Sequence, residues 1–289
     1  MVLKVGQLIE DIGAGFAQAE LFYGHGTDNP YDEAAALVFH VVGLEHSGDV
    51  AQYQHAVTTE QHERVQSLSA CRIETRKPLA YLLKEAWFAG FPFTVDERVL
   101  IPRSPVAELI ADHFEPWVNP DRVSSILEVG TGSGCIAIAC ALEFPTAQVT
   151  ATDISPEALE VARLNTDRYQ LAERVSLVTA DLLDGIEGSF DIIISNPPYV
   201  PDQERTELPS EYLHEPALGL FSGADGLDSA RRILQDAPRL LSSGGILVLE
   251  VGAQWEALGQ AFPSLPFIWL EFEHGGEGVA VLQAADLQQ

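Results

Sequence analysis

The sequence is short of basic residues. It carries 16 Lys and Arg against 43 Asp and Glu over 289 residues, a formal net charge of −27 at pH 7. Gripping DNA or RNA phosphates calls for a basic footprint, so the charge argues against a protein that works on a nucleic-acid backbone. It suits small ligands and basic protein partners. Cysteine is also scarce. Cys71, Cys135 and Cys140 form no CxxC pair, which argues against a disulfide framework and a zinc site and for a reduced compartment. The eight histidines are scattered without ligand spacing, so no metal is expected. No apolar run reaches the roughly 18 residues a membrane span requires, and MVLKVGQLIEDIG has no long apolar core behind a basic head. A cytoplasmic location is the expectation. Hydrophobic residues make up 46% of the chain, enough for a packed core.

The first eighty residues read as helices. Leu8, Ile9, Ile12 and Phe16 recur at helical spacing. Asn29 followed by Pro30 reads as an N-cap and first helical position, and Thr58 with Gln61 fits a capping box for a helix running to about Arg76. WFAGFPFTVDERVLIP is aromatic and β-branched with turn residues between, the pattern of a hairpin linker. The expected organisation is a helical domain over 1–78, a hairpin linker over 79–104 and an α/β domain over 105–289. From about residue 105 strands and helices alternate: SSILEV, CIAIACALEF, AQVTAT, PEALEVARLNTDRY, RVSLVTA, FDIIIS, DSARRILQDAPRLL, GGILVLEV, QWEALGQAF, FIWLEFE and GVAVLQ. Alternation predicts a mainly parallel sheet with helices on both faces. The last two strands are joined only by HGGEG, so one of them must run antiparallel.

Residues 126–134, ILEVGTGSG, end a strand in three glycines and open a helix. Gly130, Gly132 and Gly134 allow a sharp turn and close approach of a ligand. The same residues suit a plain strand-to-helix turn, and Gly132, Gly134 and Ala137 also satisfy the dinucleotide spacing, so a dehydrogenase stays open on this loop alone. Asp153 ends the next strand about 20 residues on, where a carboxylate accepts hydrogen bonds from ribose hydroxyls. Its bland alternative, capping the following helix, already has a candidate in Ser155. Asp181 ends the third strand and reads equally as an adenine contact or a solvated loop carboxylate. Glu128, inside the first strand's end, is unfavourable there unless paired or near the mouth of a site. Cys135 and Cys140 read as core packing.

Residues 196–199 read NPPY and follow an apolar strand to the carboxyl edge of the sheet, where ligands of open α/β folds bind. Pro197 and Pro198 fix the backbone and leave carbonyl acceptors. Asn196 adds one more acceptor, and Tyr199 a planar face. Acceptors beside an aromatic ring suit a planar NH2 group, and a dehydrogenase has no use for them. The bland alternative is a rigid proline turn.

The glycine loop, the acidic strand end and the NPPY turn together resemble the S-adenosylmethionine-dependent amino-methyltransferases. Over nearly the whole chain the sequence resembles the HemK/PrmC and PrmB group of glutamine methyltransferases. The PrmB-type branch is carried by FYGHGTDNPYDEA at 22–34, VDERVLIPRSPVAELI at 95–110, SEYLHEPALGLFSGADGL at 210–227 and PFIWLEFEHGGEGV at 266–279. Glu128 and Gly130 depart from the Asp and Cys usual in that branch. The resemblance implies a Rossmann-like, seven-stranded class I methyltransferase sheet behind a small helical substrate-recognition domain. It implies S-adenosylmethionine as cofactor, S-adenosylhomocysteine as product and no metal. The implied cofactor residues are Glu128, Gly130, Thr131, Gly132, Gly134, Asp153, Asp181 and Asn196. Asn196, Pro197 and Tyr199 are implied as catalytic, and Asn196, Pro197, Pro198, Tyr199 and Arg103 as substrate contacts, although a lone arginine is more often a salt-bridge residue. The implied substrate is a basic protein, free ribosomal protein L-three, with no direct nucleic-acid or membrane partner. The alternatives are the GGQ glutamine of release factors, the exocyclic amine of a base, and a non-enzymatic sensor of the cofactor.

Overall fold

In the computed structural model of the protein, residues 2–45 and 49–287 are described; residues 1, 46–48, 288 and 289 of the expected domains lie outside the described residues. The chain divides into two compact units, one formed by residues through Ala86 with Pro209–His214, the other by Trp87–Leu208 with residues from Glu215 on.

The first unit is helical, with α1 (Val5–Gln18), α2 (Pro30–Val42), α3 (Thr59–Thr75) and the short α4 (Leu79–Leu83). Leu8, Ile9, Ile12 and Phe16 of α1 are all buried, as their spacing predicts, and pack with Leu37 and Val38 of α2 and Val65 of α3. The caps follow the sequence. The Asn29 side chain accepts the Tyr31 and Asp32 N–H groups at 3.1 and 2.9 Å, and Pro30 opens α2 where its missing donor is not needed. At α3 the Thr58 hydroxyl accepts the Gln61 N–H at 3.2 Å while the Gln61 side chain accepts the Thr58 N–H at 2.9 Å, completing the capping box. A 3-10 turn at Val50–Gln54 is an addition the sequence pattern does not show.

Beneath these helices lies a buried ion cluster. Arg72 of α3 is 1% exposed. Its Nε donates to Glu33 Oε1 at 2.7 Å, Nη1 to Glu211 Oε1 at 3.4 Å and Nη2 to the Phe22 carbonyl at 3.0 Å. Glu211 also accepts the Phe22 N–H at 3.0 Å, and these bonds hold its pKa below the ordinary carboxylate range against the opposing effect of burial. Through Glu211 the segment Pro209–His214 becomes part of this unit's interior.

A β1–β2 hairpin (Glu85–Phe88, Phe91–Thr94) starts at the end of the first unit's residues and continues into the second, which then has the short helix α5 (Val106–Ala111). There follow β3 (Ser125–Val129), α6 (Cys135–Glu143), β4 (Gln148–Asp153), α7 (Pro156–Arg168), β5 (Val175–Thr179), β6 (Phe190–Ser195), α8 (Asp228–Asp236), β7 (Leu241–Glu250), α9 (Trp255–Ala261), β8 (Ile268–Trp269), β9 (Val279–Gln283) and α10 (Ala284–Leu287). The seven-stranded sheet has the order β5-β4-β3-β6-β7-β9-β8. The first five strands in that order are parallel, and β9 runs antiparallel to both β7 and β8.

Both faces of the sheet are covered, which explains the unbroken apolar runs of its central strands. Ile126, Ile192, Ile194, Ile246 and Val248 pack to one side, with Ile136 and Cys140 of α6. Leu127, Val129, Ile193, Leu247 and Leu249 pack to the other, with Ile233 of α8 and Leu258 of α9. The chain builds outward from β3 to β5, then returns to lay β6 on the opposite side of β3. That reversal is a topological switch point, the place where open α/β sheets bind ligands. Here Val129 and Ser195 are register partners, so the glycine loop and the NPPY turn leave the sheet side by side.

Two elements are shorter than their patterns predict. DSARRILQDAPRLL is helical only to Asp236; Pro238 then forces a 3-10 turn. Of FIWLEFE only Ile268–Trp269 is strand. Beyond it the Glu273 and His274 N–H groups donate to the Glu108 carboxylate of α5 at 2.9 and 3.0 Å, which replaces the ladder bonds that a longer strand would make.

Exchanging Arg72 for Met leaves Glu33 buried without its cation and Glu211 with only Arg76, at 3.7 Å. The expected loss is about 3–5 kcal/mol, read from the urea denaturation midpoint; a change below about 0.5 kcal/mol would show that the cluster is not a stabilising centre.

Candidate functional site: a carboxylate-lined cleft at the switch point

The glycine loop separates two demands that the sequence presents as one. Gly130, Gly132 and Gly134 have φ of +78°, +54° and +81°, values that side-chain-bearing residues adopt only with strain. A Cβ at Gly130 or Gly132 would meet nothing within 4 Å, whereas one at Gly134 would stand 3.2 Å from the Ala162 Cβ of α7. The first two glycines therefore leave open space above the loop, and the third lets α6 and α7 approach. The turn is tied down by the Gly130 and Thr131 N–H groups, which donate to the Thr152 carbonyl at 2.9 and 2.8 Å. From behind, the buried Asn165 side chain donates to the Ser133 carbonyl at 2.8 Å and bonds both the N–H and the carbonyl of Thr94.

Two carboxylates face this turn. Glu128 is 2% exposed; its Oε2 accepts the Thr131 hydroxyl at 2.5 Å and the Ala137 N–H at 2.8 Å. Both partners are uncharged. Burial, with Asp153 nearby, pushes its pKa up to about 8. Asp153 accepts the Gly132 N–H at 2.8 Å through one oxygen and the Ser155 N–H at 2.9 Å through the other; burial raises its pKa as well. The Ser155 side chain caps α7 by accepting the Ala158 N–H, so Asp153 is not needed for that task. Each Asp153 oxygen retains a lone pair for a ligand hydroxyl.

A single cleft is lined by Glu128, Gly130, Thr131, Gly132, Asp153, Asp181, Asn196, Pro198 and Arg103. It therefore brings together most of the residues singled out in the sequence. Gly134, Pro197 and Tyr199 do not line it. Gly134 faces α7, as above. The Tyr199 ring packs close enough to Gly252 that a Cβ there would come within 2.7 Å of it. Asp181 is half exposed and paired with Arg232 of α8 at 2.8 Å. Arg103 makes a two-pronged pair with the buried Glu215, at 2.7 and 2.9 Å, and Glu215 also accepts the Ile101 N–H at 3.0 Å. Arg103 thereby braces the IPRS segment along one side of the cleft.

Sequence reasoning missed Glu250. It ends β7 one residue past Leu249, the register partner of Ser195, so it stands beside Asn196. It is 4% exposed and accepts the Ser104 hydroxyl at 2.5 Å, with the Asn196 and Tyr199 side chains among the neighbours that favour its charged form. Burial raises its pKa to about 7 in spite of these bonds and of Arg103. A signal was present: LEVG occurs twice, at 127–130 and 249–252, and both copies deliver a buried glutamate to the same sheet edge.

The open space over Gly130 and Gly132, the buried Glu128 and the half-buried Asp153, each bonded only to neutral groups, fit a cofactor that carries a sugar and positive charge. The sheet order and this cleft define a class I methyltransferase. The Methyltransferase small domain model matches residues 107–223, and the PrmC N-terminal domain model matches residues 18–83. Among solved structures, the fold is similar to a methyltransferase from Pyrococcus furiosus (TM-score 0.50, 20% identity, covering 78% of this chain and 99% of that one) and to the hMettl16 catalytic domain (TM-score 0.52, 14% identity, covering 80% and 84%). In sequence, it is 45% identical over 269 residues to a ribosomal protein uL3 glutamine methyltransferase of Francisella tularensis, covering 92% of this chain and 86% of that one. A ribosomal protein uL3 glutamine methyltransferase of Neisseria meningitidis serogroup A is 47% identical over 269 residues, covering 92% and 88%. The chain belongs to the family of ribosomal protein uL3 glutamine methyltransferases.

The raised pKa values of Glu128 and Glu250 set a pH dependence of stability. Their unfolded values lie near 4.3, so between there and about 8 the native state holds more protons than the unfolded state, and stability falls as pH rises. The carboxylates with lowered values, Asp191, Glu211 and Asp225, act below that window. The urea midpoint of the ligand-free protein is therefore expected to be higher at pH 6 than at pH 8, with a smaller difference in Glu128→Gln. An unchanged difference in that variant would remove Glu128 as a cause.

Proposed function

We propose that this chain methylates the side-chain amide nitrogen of a glutamine in ribosomal protein uL3, using S-adenosylmethionine, and that it acts on the free protein in the cytoplasm. The observation that carries the reading is that Asn196 and Pro198 of the NPPY turn share one cleft with Glu128, Gly130, Thr131, Gly132 and Asp153. An amide-holding turn beside a cofactor cradle is the arrangement that methyl transfer to a planar NH2 group needs. The relatives' names supply the acceptor. The net charge of −27 supports a basic protein as substrate and disfavours approach to assembled ribosomal RNA. The helical amino-terminal unit is assigned to substrate recognition.

When bound, S-adenosylmethionine supplies an activated methyl group on a sulfonium centre. The chain's own residues bind and place. Asp153 accepts from ribose hydroxyls, Asp181 borders the adenine region, and Gly130, Thr131 and Gly132 allow the backbone close to the cofactor, with Glu128 beneath them. An amide nitrogen is a poor nucleophile because its lone pair is delocalised. The Asn196 side-chain oxygen and the Pro197 carbonyl accept its two N–H bonds, fix its direction, and favour the positive charge that develops on it. Pro198 keeps the turn rigid, and Tyr199 holds it against Gly252. Arg103 contributes by fixing the cleft wall through Glu215. The proton leaves to water after transfer, so no strong base is required.

Incubation with methyl-labelled cofactor and two acceptors, free uL3 and a release factor, followed by mass spectrometry, tests the reading. Label on a glutamine of uL3 is expected. Label on the release factor's GGQ glutamine would keep the chemistry and overturn the substrate, and label on neither would overturn the function. Asn196→Ala is expected to lower turnover by about 10²-fold or more with cofactor binding nearly intact, and Asp153→Ala mainly to weaken cofactor binding; the reverse pattern in a calorimetric titration would overturn both roles.

A further inference from the structure

We propose that Glu250 is the positioning residue that sets which end of the Asn196 amide faces the substrate. An asparagine amide can turn over, presenting either its oxygen or its NH2 to a ligand. Only one choice serves a substrate that itself offers NH2, namely the oxygen. In its ionised form a carboxylate can only accept hydrogen bonds, so above the Glu250 pKa of about 7 it would take the NH2 end of Asn196 and leave Oδ1 directed away from it, as an acceptor for the substrate nitrogen. Glu250 stands where this requires. It ends β7 beside the end of β6, one residue past the Leu249–Ser195 register pair, and is buried, with Asn196 and Tyr199 among the neighbours that favour its charged form.

The carboxylate is itself held. Ser104 Oγ donates to its Oε2 at 2.5 Å and also accepts the Val106 N–H at 3.2 Å. The charged group acting on it is Arg103, which is fixed in turn by Glu215; Tyr199 is the other titratable neighbour. IPRS thus reads as a support for Glu250, and Glu250 as a support for NPPY. The close approach of Tyr199 to Gly252, two residues past Glu250, brings the phenol to the same carboxylate. The inference rests on the proposed amide-methylating role, because only an NH2-bearing acceptor gives the amide direction its value.

Glu250→Gln keeps the shape and replaces the acceptor-only group with one that both donates and accepts, so the direction of Asn196 is no longer dictated. Its kcat on uL3 is expected to fall at least 10-fold, with the Kd for S-adenosylhomocysteine within about 3-fold of the parent. The double variant Glu250→Gln with Asn196→Asp restores a donor–acceptor pair of reversed polarity and still offers an oxygen to the substrate. It is expected to recover several-fold over Glu250→Gln, whereas Asn196→Asp alone, two carboxylates face to face, stays low. Wild-type turnover in Glu250→Gln, an equal loss of S-adenosylhomocysteine binding, or a double variant no better than the single would each overturn the proposal. A second readout needs no substrate. The Asn196 side-chain amide resonance, assigned by its disappearance in Asn196→Asp, should titrate with Glu250 and lose that titration in Glu250→Gln. If the parent labels no acceptor, the function reading fails and this resonance alone decides: its titration upholds the Glu250–Asn196 coupling, and its insensitivity to pH overturns it.

Discussion

Parallel strands that end in register place polar side chains at one edge of the sheet without any loop having to carry them there. β3, β6 and β7 run side by side, and Val129, Ser195 and Leu249 lie across from one another. The next turns follow from those ends. β3 carries Glu128 and passes into the glycine loop, β6 passes into NPPY, and β7 finishes in Glu250. The apolar residues beneath, on both faces of the sheet, leave these strands little freedom to slip, since a one-residue slip would turn every core side chain to the wrong face. The precision of the cleft is therefore inherited from the packing of Ile126, Ile192, Ile193, Ile194 and Leu247.

The same construction forces carboxylates into the interior. Glu128 and Glu250 are at most 4% exposed, and each is bonded to neutral groups that only partly replace water. The helical unit solves a similar problem differently. There Glu33 and Glu211 receive a buried arginine, Arg72, and the result is a closed cluster suited to structure. At the strand ends Glu128 and Glu250 have no hydrogen-bonded cation among the described residues, and burial raises the pKa of both; on the function proposed above, that is the cost of a site that takes hydroxyls and a sulfonium group. Stability is given up at the strand ends in exchange for a site.

Much of this was legible in the sequence where local chemistry decides the outcome. Asn29–Pro30 and Thr58–Gln61 announce two helix starts because a cap depends on residues two or three positions apart. The alternation from residue 105 announces the sheet, and HGGEG announces the antiparallel end. The glycine loop and NPPY were visible as motifs because each is contiguous. The shortfalls are all long-range. FIWLEFE has strand composition throughout, but the Glu108 side chain, distant in sequence, takes over its backbone donors. Tyr199 reads as a planar face in the sequence, and only the fold shows that its ring also packs against Gly252, beyond β7. Arg103 reads as a salt-bridge residue without a partner in view, and its partner Glu215, 112 residues later, is visible only in the fold.

Glu250 is the instructive omission. In sequence it is a carboxylate at the end of an apolar strand, like Glu128, and without a glycine-rich helix start after it only the repeated LEVG draws attention to it. What distinguishes it is strand order. Only when β7 lies next to β6 does Glu250 meet Asn196, and β7 is placed there by the crossover through α8 rather than by any local pattern. On the proposed function NPPY supplies the atoms that would touch a substrate, but an amide that can turn over has no fixed meaning by itself. Its direction is set by whichever neighbour accepts its hydrogens, and that neighbour comes from the topology. The chemistry of this cleft is thus written in the motifs, and its polarity in the order of the strands.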